Sequence, residues 1–90
     1  MQRLHAVIHG DVQGVGFRYF LIDHARPLGV NGWVRNRPDG TVEITAEGER
    51  VTLEGLLDVA RRGPRGATVT DVDVSWDPAS GNLGPFEISH

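Results

Sequence analysis

Thr41-Val42-Glu43-Ile44-Thr45-Ala46-Glu47 alternates without a break between polar and apolar side chains. Val42, Ile44 and Ala46 form one face, and Thr41, Glu43, Thr45 and Glu47 form the other. Successive strand residues point to opposite sides, so the stretch predicts a strand in a sheet with one covered face and one wet face. The flanking sequence supplies what covers it. Upstream, Arg37-Pro38-Asp39-Gly40 is turn chemistry, and Val30 to Asn36 reads as the preceding strand. Before that, Phe17 to about Arg26 reads as a helix, with Phe17, Leu21, Ala25 and Leu28 at helical spacing and Pro27 and Gly29 to end it. Leu4, Ala6 and Ile8 alternate with His5, Val7 and His9 in a first strand. Downstream, Arg50 to Arg62 reads as a second helix with Leu53, Leu56, Leu57 and Ala60 in one stripe, stopped by Gly63-Pro64. Val69 to Trp76 reads as a fourth strand, and Phe86 and Ile88 as part of a short fifth. The order βαββαβ with a small tail is the α+β ferredoxin-like sandwich: a mostly antiparallel sheet with two helices on one face.

Composition narrows the function. Ninety residues make a single domain, 1–90, and a chain of this length argues for an independent unit. The absence of cysteine excludes disulfides, thiolate metal sites and a cysteine nucleophile. Every basic residue is arginine, which excludes a catalytic lysine. A net charge of −3 speaks against a nucleic-acid partner. No stretch approaches a membrane span, and Met1-Gln2-Arg3-Leu4-His5 carries no cleavage signature, so a cytoplasmic protein is expected.

The segment that carries chemistry is Gly10-Asp11-Val12-Gln13-Gly14-Val15-Gly16-Phe17-Arg18, between the first strand and the first helix. Gly14 and Gly16 permit positive φ, which lets consecutive N–H groups converge. Arg18 falls in the first helical turn, where the dipole also favours an anion. Two familiar phosphate loops do not fit. There is no Gly-Lys-Ser/Thr, and Tyr19 occupies the place of the third glycine in a dinucleotide fingerprint. The topology brings a second element to the loop. The first and second strands run parallel with the third between them, so their C-terminal ends share one end of the sheet. Asn36, with Arg35 and Arg37 beside it, is thereby expected to border the anion site across roughly 10 Å.

Gly10-Asp11-Val12-Gln13-Gly14-Val15-Gly16-Phe17-Arg18, then Gly32-Trp33-Val34-Arg35-Asn36 and Asp39-Gly40-Thr41-Val42-Glu43, closely resemble the acylphosphatases, and the likeness runs over nearly the whole chain. Asp11, in place of a basic or neutral residue, and Pro27 depart from the family pattern without removing a catalytic position. The resemblance implies a metal-independent, cofactor-free hydrolase of carboxyl–phosphate anhydrides, acting on small acyl phosphates. It also implies that Arg18 and the amides of Gln13, Gly14, Val15, Gly16, Phe17 and Arg18 hold the phosphate, while Asn36 positions the attacking water. A monomer is expected.

Other features take plainer readings. His5 and His9 share one side of the first strand, but two ligands do not make a metal site, and solvent-facing residues are expected. Trp33, Tyr19 and Trp76 are better explained by packing than by base stacking, because the aromatic run of RNA-binding sheets is missing. Arg35 and Arg37 read first as a solvated loop face and second as groups that attract an anionic substrate. Asp39 belongs to the turn. Two alternatives remain open: an anion- or RNA-binding module on the same fold, and a domain of a larger carbamoyl-phosphate-using protein.

Overall fold

A computed structural model describes residues 1–90. The elements are β1 (Gln2–Asp11), α1 (Phe17–Ala25) with a short 3-10 turn after it (Arg26–Leu28), β2 (Asn31–Asn36), β3 (Val42–Gly48), α2 (Arg50–Arg62), β4 (Thr68–Pro78) and β5 (Glu87–Ile88). The strands form one sheet in the order β4-β1-β3-β2-β5. Only β2 and β5 run parallel; the other pairs are antiparallel. This is the ferredoxin-like α+β arrangement that the alternation predicts, with the short fifth strand present.

The core lies between the sheet and the helices. Leu4, Ala6 and Ile8 of β1, Val34 of β2, and Val42, Ile44 and Ala46 of β3 are fully buried, as are Leu21, Ala25, Leu53, Leu56 and Ala60 from the helices. Each fully buried Leu or Ile contributes roughly 1.5–3 kcal/mol relative to exposure. Helix α1 is shorter than its apolar spacing implies. Pro27 falls in the 3-10 turn, and Gly29 ends it at φ 72° with its N–H donating to the Arg26 carbonyl at 3.0 Å. The changed pitch carries Leu28 off the buried stripe, leaving it 45% exposed.

The polar face of β3 is a correction to the sequence reading. It has no helix over it, yet Glu43, Thr45 and Glu47, and Thr41 just before the strand, are all buried. The cause is lateral. As the middle strand, β3 is crowded by long side chains from both neighbours. Arg3 on β1 donates to Glu47 at 2.9 Å, while His5 on β1 and Arg35 on β2 both reach Glu43 at 2.6 Å. Cross-strand ion pairs thus cover the central carboxylates. Burial pushes Glu43 upward, but the hydrogen bonds and charges of His5 and Arg35 outweigh it and hold its carboxyl below the ordinary value.

Glu47 is held more tightly. The Ser80 N–H (2.7 Å), the Gly81 N–H (3.0 Å), Arg3 (2.9 Å) and the Ser80 hydroxyl (3.0 Å) all donate to it, tying the segment after β4 to the centre of the sheet. These donors, led by the Ser80 backbone amide, lower its pKa from 4.5 to about 2. A pKa depressed by folding contributes stability that is present above the unfolded value and lost as pH falls through the folded value. Thermal midpoints followed by circular dichroism should therefore fall as pH drops from 4.5 towards 2. In Glu47→Gln that part of the decline is expected to be shallower, because the amide does not titrate; an unchanged slope would assign it to other carboxylates.

Candidate functional site: the loop after β1 and the end of β2

The register confirms the juxtaposition inferred from topology. Ile8 and Asn36 both pair with Val42, one from each side. They are two strand spacings apart, roughly 10 Å, at the end of the sheet where β1 and β2 both finish. Asn36 alternates in phase with Val34, which places it on the helix-covered face, where α1 begins.

β1 leaves the sheet through an irregularity. Its pairing with β4 shifts between His9 and Gly10. Gly10 has φ 125°, and a Cβ there would stand 2.0 Å from the Thr68 carbonyl oxygen, so a side chain is barred both by conformation and by space. The loop that follows selects glycine for another reason. Gly14 (φ 75°) and Gly16 (φ 77°) have open space around them, so their left-handed backbone alone is the requirement.

That backbone leaves donors unused. The amides of Gln13, Gly14, Val15 and Gly16 bond to no acceptor in the protein, and the first bond of α1 runs from the Phe20 N–H to the Gly16 carbonyl at 3.0 Å. The N–H groups of Phe17, Arg18 and Tyr19 precede that bond. No acidic side chain occupies the first turn of α1, and Gly16 provides no side-chain cap. The Phe17 side chain is 2% exposed in the core, so only its backbone is available to the loop. Arg18 is half-buried and pairs with no carboxylate, unlike Arg3, Arg35, Arg37 and Arg50. Loop and first turn together thus carry N–H groups without acceptors in the protein, at a helix start where the dipole favours an anion.

The facing turn is stiff. Arg37 N–H donates to the Thr41 carbonyl (2.9 Å), and Gly40 N–H donates to the Arg37 carbonyl (3.1 Å). Asp39 accepts from the Thr41 hydroxyl (2.6 Å) and the Thr41 N–H (3.1 Å), and these bonds lower its pKa. The turn reading of Asp39 holds.

Of the two arginines beside Asn36, Arg35 goes elsewhere. Arg35 lies on the open face, paired with Glu43 and 5.4 Å from the Trp33 ring centroid. It does not border the loop, because neighbours in a strand face opposite sides. Arg37 stays at the turn, 4.0 Å from the Asp39 carboxylate. His5 and His9 are engaged by Glu43 and by Asp73, the latter at 2.9 Å.

The acylphosphatase family profile matches residues 4–88. An acylphosphatase of Anaeromyxobacter sp. (strain Fw109-5) is 52% identical over 90 residues, covering 100% of this chain and 97% of the relative. The crystal structure of acylphosphatase from Bacillus subtilis superposes with a TM-score of 0.96 at 37% identity, over 100% of both chains. A full-length HypF, in its phosphate- and nucleotide-bound form, matches with a TM-score of 0.87 at 26% identity, over 100% of this chain but 12% of that protein. The chain belongs to the acylphosphatase family, and it is a hydrolase that acts on acyl phosphates.

Proposed function

We propose that residues 1–90 act as one domain that hydrolyses the carboxyl–phosphate anhydride of small acyl phosphates, with the phosphate held by Arg18 and the amides of Gln13 to Arg18 and the water aimed by Asn36. The observation that carries this reading is the run of unengaged amides from Gln13 to Gly16, adjoining a guanidinium that has no carboxylate partner. Two oxygens of a bound phosphate fit the Arg18 fork, and the remaining charge meets fixed backbone dipoles that need no rearrangement as the reaction proceeds.

Phosphoryl transfer asks mainly for positioning and charge stabilisation. The leaving group is a carboxylate whose acid has a pKa near about 4, so it departs without a general acid. Asn36 is not a base; its carbonyl accepts from the water, and its amide donates to water or phosphate. Water oxygen bonds to phosphorus, the anhydride P–O bond breaks, and a phosphate oxygen of the substrate takes the water proton. The products are a carboxylate and inorganic phosphate. This chemistry requires no metal and no cofactor.

The test is phosphate release from a simple acyl phosphate in the presence of chelator. Undiminished turnover is expected. Chelator-sensitive turnover would overturn metal independence, and a folded protein with no turnover would favour an anion-binding module. No helix is long and apolar enough to cross a membrane. A monomer working in the cytoplasm, with no nucleic-acid partner, completes the proposal.

A further inference from the structure

One side chain joins the two halves of the site. Gln13 Nε2 lies 2.8 Å from the Arg37 carbonyl oxygen and 2.9 Å from the Thr41 carbonyl oxygen. Both partners are acceptors, so the carboxamide must present its NH₂ group, and its two hydrogens match the two carbonyls. Those carbonyls are the ones that also close the turn, accepting from Gly40 and Arg37 respectively. Gln13 therefore begins the loop and grips both ends of the turn that follows Asn36. No other side-chain hydrogen bond joins the loop to that turn.

We infer that the Gln13 side chain is a positioning residue, which sets the phosphate-holding loop at a fixed distance from Asn36 so that phosphorus and water meet in line. The inference rests on the proposed roles of the loop and Asn36. Its logic is geometric. The loop holds phosphate by contacts local to residues 13–18, whereas the water is held from another strand. The sheet spaces the ends of β1 and β2 through Val42, and Gln13 ties the loop beyond β1 to the turn beyond β2, where misplacement by about 1 Å can cost on the order of 100-fold. Gln13 touches neither water nor reacting atoms in this role; it acts through the turn.

Gln13→Met keeps length and removes both donors. It is expected to lower kcat about tenfold while the inhibition constant for inorganic phosphate changes less than about threefold. In Asn36→Ala the same substitution should cost little more, because there is no longer a side chain to align. Gln13→Glu provides a second variant. Its carboxylate faces two carbonyl oxygens and cannot donate, but its protonated form restores one donor. Its kcat, relative to the parent at each pH, should recover as pH falls through the carboxyl pKa. Losses that multiply with Asn36→Ala, or phosphate affinity that falls while kcat holds, would overturn the inference.

A measurement independent of turnover separates this inference from the proposed function. In Gln13→Met the side-chain amide resonances of Asn36 should shift or broaden in ¹⁵N spectra, with and without inorganic phosphate. If they do not move, the coupling is absent, even in a protein that hydrolyses acyl phosphates normally. If they move in a protein that does not turn over, the coupling stands and the proposed activity fails.

Discussion

Arg18→Ala is expected to lower kcat/KM for an acyl phosphate about 1,000-fold, a loss of about 4 kcal/mol of transition-state stabilisation. It should also abolish inhibition by inorganic phosphate at millimolar concentration. The reason is that Arg18 is the side-chain cation on the first turn of α1, and neither a carboxylate nor any other protein acceptor draws it away. Arg18→Lys tests the fork separately from the charge. A lysine supplies a point charge but not two parallel donors, so it should recover only part of the loss. Neither variant should unfold the protein, since the Arg18 side chain makes no internal hydrogen bond or ion pair and the core contacts of α1 come from Phe17, Leu21, Ile22 and Ala25. Initial rates and phosphate inhibition measure both effects. An Arg18→Ala protein that still binds phosphate as the parent does would show that the amides alone make the anion site.

What could be read from the sequence was set by the range of the interactions. Alternation in Thr41–Glu47 and the stripe Leu53, Leu56, Leu57, Ala60 are local patterns; the helix formed where expected and the strand one residue later, at Val42–Gly48. The nearness of Asn36 to the loop was also legible, because βαβ connectivity forces β1 and β2 to be parallel. The environment of the open face was not. Alternation says which way a side chain points, but not whether neighbouring strands carry arginines long enough to cover it. The burial of Glu43 and Glu47 therefore emerges only once Arg3, His5 and Arg35 are brought alongside. The same limit misassigned Arg35, whose carboxylate partner is eight residues away across the hairpin. Gln13 entered the sequence reading for its backbone alone. Its side chain acts on carbonyls 24 and 28 positions downstream, and backbone acceptors leave no signature in residue types.

Asn36→Ala separates binding from turnover. It is expected to lower kcat about 100-fold, or about 2.7 kcal/mol, with inhibition by inorganic phosphate nearly unchanged. The division follows from where the residue sits. Asn36 closes β2, two strands from the end of β1, so it belongs to a different chain segment from the amides and Arg18. Removing its side chain leaves the loop and first turn intact, so the phosphate contacts proposed for them should be retained. What is lost, in the proposed mechanism, is the group that holds water opposite the leaving carboxylate. Asn36→Asp sharpens the point. The side chain keeps its size and an acceptor for water, but it gains a negative charge facing an anionic substrate and loses its N–H donors. Positioning through the N–H groups predicts that Asp is at least as damaging as Ala near neutral pH, whereas general-base catalysis would predict that Asp retains or raises kcat. A folded Asn36→Ala protein with parental kcat would remove Asn36 from the reaction and leave the water to be ordered by the phosphate alone.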